Sequence, residues 1–127
     1  MDATPVSPEE TRRYFEEKDA RRARALDARF AEATADASAI IAMIAEDFNP
    51  VRIWQWGSLL DRSRFSGISD IDIAVEGFPG DAAAWFRLLG KAEGLSRFDL
   101  DILQLEKIEP LHAASIRREG RIAYERP

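Results

Sequence analysis

The chain has no cysteine, so disulfides and a thiolate zinc site are both excluded. It has one histidine, His112, set among polar neighbours on an expected helix and read as a surface residue. It has no apolar run approaching the ~20 residues that a membrane span needs. Met1-Asp2-Ala3-Thr4-Pro5 offers neither a basic n-region nor an apolar h-region, so no secretory leader is expected there. With cysteine also absent, the cytoplasm is the expected location. There is no internal repeat and no low-complexity tract. Positive charge is in deficit: the net charge of −5 argues against a large nucleic-acid footprint, which normally needs a basic face.

What remains suits one structural domain of 127 residues, 46% hydrophobic and able to bury a core. Ser7-Pro8-Glu9-Glu10 is a helix start: Ser7 caps, Pro8 takes the first helical position and Glu10 completes a capping box. Helical spacing continues to about Asp47, with Leu26, Phe30, Ala33, Ala37, Ile40 or Ile41, Ile44 and Phe48 forming one apolar stripe. Arg12, Arg13, Arg21, Arg22 and Arg24 sit among acidic residues ahead of that stripe. So long a helix is expected either to break near Ala31–Asp36 or to project from the domain, as a surface for a partner or a second copy. Asn49-Pro50 ends it. The chain therefore divides into an N-terminal helical region, 1–50, and a core, 51–127.

The core reads as strand Val51–Trp56, strand Ile71–Val75, a helix capped by Asp81 and closed at Gly94, strand Phe98–Gln104, helix Leu111–Glu119, and a short edge strand from Arg121 to Tyr124. The order α, β, β, α, β, α, β implies an α+β fold: a small mixed sheet with helices mainly on one face. Trp54 and Trp56, on a central strand, are expected to pack in the core, although they also offer a surface for stacking.

The chemistry concentrates between Trp56 and Val75. Asp70 and Asp72 are two residues apart on a strand and so share a face, while Ile71, Ile73 and Val75 take the other. Adjacent carboxylates repel unless a cation lies between them. Upstream, Gly57-Ser58 reads as a turn opening a helix, with Ser58 as its N-cap, an anion site or both, since its N–H groups and hydroxyl suit an anion. Downstream, Asp99 and Asp101 each offer a third carboxylate from another strand, and alternation alone does not choose between them. Three converging carboxylates suit two divalent cations about 4 Å apart, the arrangement used for in-line phosphoryl transfer.

With these residues in place, Val51 to Tyr124 resembles the nucleotidyltransferase superfamily typified by DNA polymerase β, and more narrowly the minimal nucleotidyltransferase (MNT) proteins. The carriers are Gly57-Ser58, Asp70-Ile71-Asp72, Asp101, and the ending Ile116-Arg117-Arg118-Glu119-Gly120 followed by Tyr124. The spacing from Asp101 to Ile116 favours Asp101 over Asp99 as the third carboxylate. The segment Leu59-Leu60-Asp61-Arg62-Ser63-Arg64 stands where many members carry an Arg-x-Arg-Gly type of sequence.

The resemblance implies a polymerase β-like fold and a magnesium-dependent adenylyl transfer from ATP to a hydroxyl, with pyrophosphate released. Two Mg²⁺ ions, replaceable by Mn²⁺, are expected on Asp70, Asp72 and Asp101, and these three are the catalytic residues. Gly57, Ser58, Arg62, Arg64 and Ser69 are the nucleotide-binding set. The implied partner is a helical HEPN-type toxin, neutralised by adenylylation of a tyrosine, which makes this chain the antitoxin of a toxin–antitoxin pair. Two other readings stand beside it: a non-catalytic binding module with relic carboxylates, and a transferase acting on small molecules.

Overall fold

A computed structural model describes residues 5–127; the first four residues, on which the expectation of no leader largely rests, lie outside the described residues. The first element, α1 (Pro8–Phe48), is a single unbroken helix of 41 residues, about 60 Å long. Its capping box forms as the sequence predicts: Glu10 N–H donates to Ser7 Oγ, and the Ser7 N–H donates to the Glu10 carboxylate. Asn49, in the left-handed region at φ 49°, ends it.

Of the two expectations for α1, projection is the one realised. Ala33, Ala37, Ile40 and Ile44 are buried against the sheet, whereas residues from Pro8 to Ala25 are almost all exposed. Exposed aromatics Tyr14 and Phe15 lie in this projecting part. Deleting Met1–Arg24 should therefore cost less than about 1 kcal/mol of stability, as for other surface changes. It should weaken self-association or partner binding, which sedimentation and a binding titration check. Unchanged profiles in both would reject an interaction role.

Four strands follow: β1 (Arg52–Trp56), β2 (Ile71–Glu76), β3 (Leu100–Gln104) and β4 (Arg121–Glu125), arranged β3-β2-β1-β4. β1 pairs antiparallel with both β2 and β4, and β2 pairs parallel with β3. The parallel pair is connected through α2 (Ala82–Gly94), capped as expected by Asp81, whose carboxylate accepts from Ala84 N–H at 2.9 Å. The last helix, α3 (Pro110–Glu119), leads into β4.

The mixed sheet with an N-terminal helix agrees with the nucleotidyltransferase-like fold the sequence suggests. Strand alternation divides the core in two. Ile53, Ile71, Ile73 and Val75 face α1 and α2, packing with Ile40, Ile44, Leu88 and Ala92. Ala74 faces the other way, with Leu105, Ala113 and Ile116. Thus α1 and α2 cover one face, and α3 covers part of the opposite face.

Candidate active site

Asp72 lies on the α3 face of the sheet, and the strand registers place a row there. Trp56 of β1 is opposite Asp72 of β2, which is opposite Asp101 of β3. Neighbouring strands lie about 4.8 Å apart, so Asp72 and Asp101 stand side by side. Asp99 precedes β3; its carbonyl accepts from Ile71 N–H at 3.0 Å, and its side chain is exposed. Between the two candidates for a third carboxylate, the register places Asp101 beside Asp72. Asp70 is exposed immediately before β2.

This crowding shows in the Asp72 carboxyl, whose pKa rises from the ordinary 3.8 to about 7. Burial is the largest cause, followed by the negative charges of Asp101 and Asp70. A divalent cation would relieve each of these, so the donor set suits one in charge and ligand type. The carboxylates are near enough to repel but do not form a closed cage: among the described residues, no three His, Cys, Asp or Glu side chains gather into a metal-binding group.

The Gly-Ser turn sits directly against Asp72. Gly57 has φ 83° and ψ −165°, a region only glycine enters readily. A Cβ on Gly57 would strike the Asp72 carboxylate oxygen. The sequence suggests that this turn opens a helix with Ser58 as its cap; the structure corrects both points. Ser58–Leu60 is a single 3-10 turn of three residues, Gly57 holds the cap position, and no side chain caps it. A turn this short has no useful macrodipole. An anion here would be met by individual groups. The N–H groups of Ser58 and Leu59 have no backbone partner among the described residues, and Ser58 Oγ makes no hydrogen bond. Ser58→Ala should then leave stability within about 0.5 kcal/mol. It should weaken triphosphate binding by about 1.5–3 kcal/mol, the worth of a hydrogen bond to a charged acceptor. Calorimetry with Mg²⁺ and a non-hydrolysable ATP analogue checks this; equal affinity would remove Ser58 from the site.

The loop from Asp61 to Asp70 packs against α1. Phe65 is buried edge-on against Phe30, with ring centroids 5.3 Å apart. Arg29 donates to the Gly67 carbonyl at 3.5 Å. Arg62 Nε donates to Asp27 at 2.6 Å, tying this side chain to α1. Ser69 Oγ accepts from Ser66 N–H at 2.9 Å and braces the turn before Asp70. Asp61 accepts from both the hydroxyl and the N–H of Ser63, which hold its pKa below the ordinary value.

Arg64 takes a different place. With Trp56, Gly57, His112, Ser115 and Glu119 it lines a cavity of about 400 Å³ between the turn and α3. His112 is exposed, as its polar neighbours predict, and its ring meets Trp56 edge-on at 5.3 Å between ring centroids. Trp54 and Trp56 are half-buried on the α3 face, where Trp54 Nε1 donates to Glu76 at 2.8 Å. Trp56 Nε1 is buried with no hydrogen-bond partner. The sequence-level signal for the cavity was weak: His112, Ser115 and Glu119 recur at helical spacing, but nothing in the chain says that their helix crosses Trp56.

No family model matches the chain, and no curated protein matches it. Among solved structures it is similar to a chain from a crystal structure of a toxin–antitoxin with AMP-PNP. The two are 23% identical, over 69% of this chain and 73% of that one, with a TM-score of 0.56. At that identity, the likeness establishes a shared fold.

Proposed function

We propose that this chain is a metal-dependent nucleotidyltransferase that moves AMP from ATP to a hydroxyl on a protein partner. The observation that carries the proposal is the row Asp72–Asp101 beside the Gly57-Ser58 turn. Asp70, Asp72 and Asp101 would hold the divalent ions, which when bound neutralise the triphosphate and lower the pKa of the attacking hydroxyl. Asp101, at the outer strand, accepts the proton of the incoming hydroxyl. The N–H groups of Ser58 and Leu59 and the Ser58 hydroxyl hold the phosphates on the far side of Asp72. Arg64 faces the adjoining cavity and supplies positive charge to the departing pyrophosphate. Arg62 has no such role while Asp27 holds it.

An antitoxin role is supported by the similar fold in a toxin–antitoxin structure with AMP-PNP. The resemblance to MNT proteins supports the finer reading, in which a tyrosine of a HEPN-type toxin receives the adenylate. One observation favours a relic binding module instead: the Arg62–Asp27 pair removes a basic group that the loop would otherwise offer to a nucleotide. Titration of the protein with ATP and Mn²⁺ in a calorimeter is the direct test. Metal-dependent nucleotide binding, lost in Asp72→Asn, supports the transferase. Binding of a toxin partner with no nucleotide binding supports the module.

A further inference from the structure

We propose that the outer edge of β3 is the docking site for the acceptor: an extended, cationic segment of the partner laid antiparallel along Leu100–Gln104. The inference rests on the transferase reading and specifies how its protein substrate is held.

β3 is the terminal strand of the sheet, and no backbone bond crosses its outer edge among the described residues. The Asp99 carbonyl points toward β2, because it accepts from Ile71. Backbone groups alternate along a strand, so Asp101 and Leu103 also turn toward β2, while Leu100, Ile102 and Gln104 turn their N–H and C=O groups outward. That outward row is a ready template for another strand.

The two faces of this edge differ. On the α2 side, Leu89, Glu93, Leu100 and Ile102 border a cavity of about 210 Å³, open at the edge and large enough for an aliphatic side chain. On the opposite side stands Asp101, next to Asp72. A strand added here has side chains that alternate between these faces. The residue opposite Asp101 carries its side chain to the carboxylates; its two neighbours carry theirs toward the α2-side cavity, against Leu89, Leu100 and Ile102. A hydroxyl residue flanked by aliphatic residues therefore satisfies both faces in one register. That places the acceptor on the Asp101 side and leaves the Gly57-Ser58 side for the phosphates.

Charge selects the segment. Glu93, Asp99 and Asp101 crowd this edge. Arg97, which precedes β3, is already paired with Glu32 and Asp36, and Lys91 of α2 with Asp47. Bound metal would offset Asp101 but leave Asp99 and Glu93, so lysine or arginine next to the aliphatic residues is favoured.

The test uses the ¹⁵N-labelled full chain with Mg²⁺ and a blocked pentapeptide, Lys-Ile-Tyr-Ile-Lys. With a non-hydrolysable ATP analogue, the amide signals of Leu100, Ile102 and Gln104 should shift and exchange at least about tenfold more slowly at saturation. N-methylation of both isoleucines, whose N–H groups face β3 in the antiparallel arrangement, should weaken binding at least about tenfold. N-methylation of the tyrosine should leave binding nearly unchanged. Shifts confined to other residues, indifference to N-methylation, or the reverse methylation pattern overturns the proposal. Edge shifts that depend on protein concentration without peptide would assign the edge to a second copy and also overturn it. Replacing the analogue with ATP separates the two readings. Edge binding without adenylate transfer counts against the transferase alone. Transfer to a protein acceptor without edge shifts counts against the edge alone.

Discussion

Replacing Asp70 and Asp72 together with asparagine should abolish nucleotide transfer while making the metal-free protein more stable. The loss of rate should be at least about a thousandfold, because charge neutralisation and positioning of the triphosphate disappear together. The stability change follows from the Asp72 carboxyl, whose pKa is about 7 in the folded chain against 3.8 ordinarily. Below about pH 4 the group is protonated in both folded and unfolded states and carries no penalty. Between about pH 4 and pH 7 the unfolded chain releases this proton and the folded chain keeps it, so wild-type stability falls as pH rises. Above about pH 7 the loss is complete. At pH 8 in chelator the double variant should therefore exceed wild type by about 1–2 kcal/mol, a figure discounted for solvent screening of a partly exposed group. At pH 3.5 the difference should vanish. Thermal melts at the two pH values test this; a double variant less stable than wild type at pH 8 would show that Asp72 is held by favourable contacts.

Gly57→Ala should be the most damaging single change at the site. The backbone at φ 83° and ψ −165° costs an alanine about 1–3 kcal/mol, and its methyl group would displace the Asp72 carboxylate. Together these should remove about 2–4 kcal/mol, lowering Tm by roughly 10 °C. The second component can be isolated. In a Gly57→Ala/Asp72→Ala double variant the conflict with the carboxylate is gone, leaving the backbone strain and a close 3.3 Å approach to the residue-72 Cβ. The two changes should then cost less together than the sum of their separate effects. Strict additivity, or a Gly57→Ala protein as stable as wild type, would mean that the turn and the carboxylate are independent.

Much of this arrangement could be read from residue order. The alternation Asp70-Ile71-Asp72-Ile73 assigns carboxylates and core to opposite faces, and β2 obeys it because Ile71, Ile73 and Val75 have a helical layer to pack against. The capping signals at Ser7 and Asp81 are local and held for the same reason. What depends on distant partners was not legible. Asp99 and Asp101 have the same alternation, so the residues alone do not choose; the family-like spacing to Ile116 favours Asp101, and the parallel register with β2 puts it beside Asp72. The pairing of Arg62 with Asp27, 35 residues earlier on α1, has no signal in the loop's own sequence. Ser58 reads as a helix cap until the helix proves to be one 3-10 turn. The cavity at Trp56 required the placement of α3 on the face away from α1, which no pattern in the chain specifies.

The alignment of α1 with the site loop links these points. Phe30 covers Phe65, Arg29 holds Gly67 and Asp27 holds Arg62, so the middle of α1 fixes the segment leading into Asp70. The exposed turns before Ala25 remain available for a partner.

The central claim is transfer of adenylate to a protein hydroxyl, and intact-mass spectrometry tests it most directly. The chain is incubated with ATP, Mg²⁺ and the product of the neighbouring gene. The account predicts that the partner gains the mass of one or more adenylates, in a reaction that needs Mg²⁺ and fails with Asp70→Asn/Asp72→Asn. A partner that is bound and neutralised at unchanged mass, equally well by wild type and double variant, would contradict it.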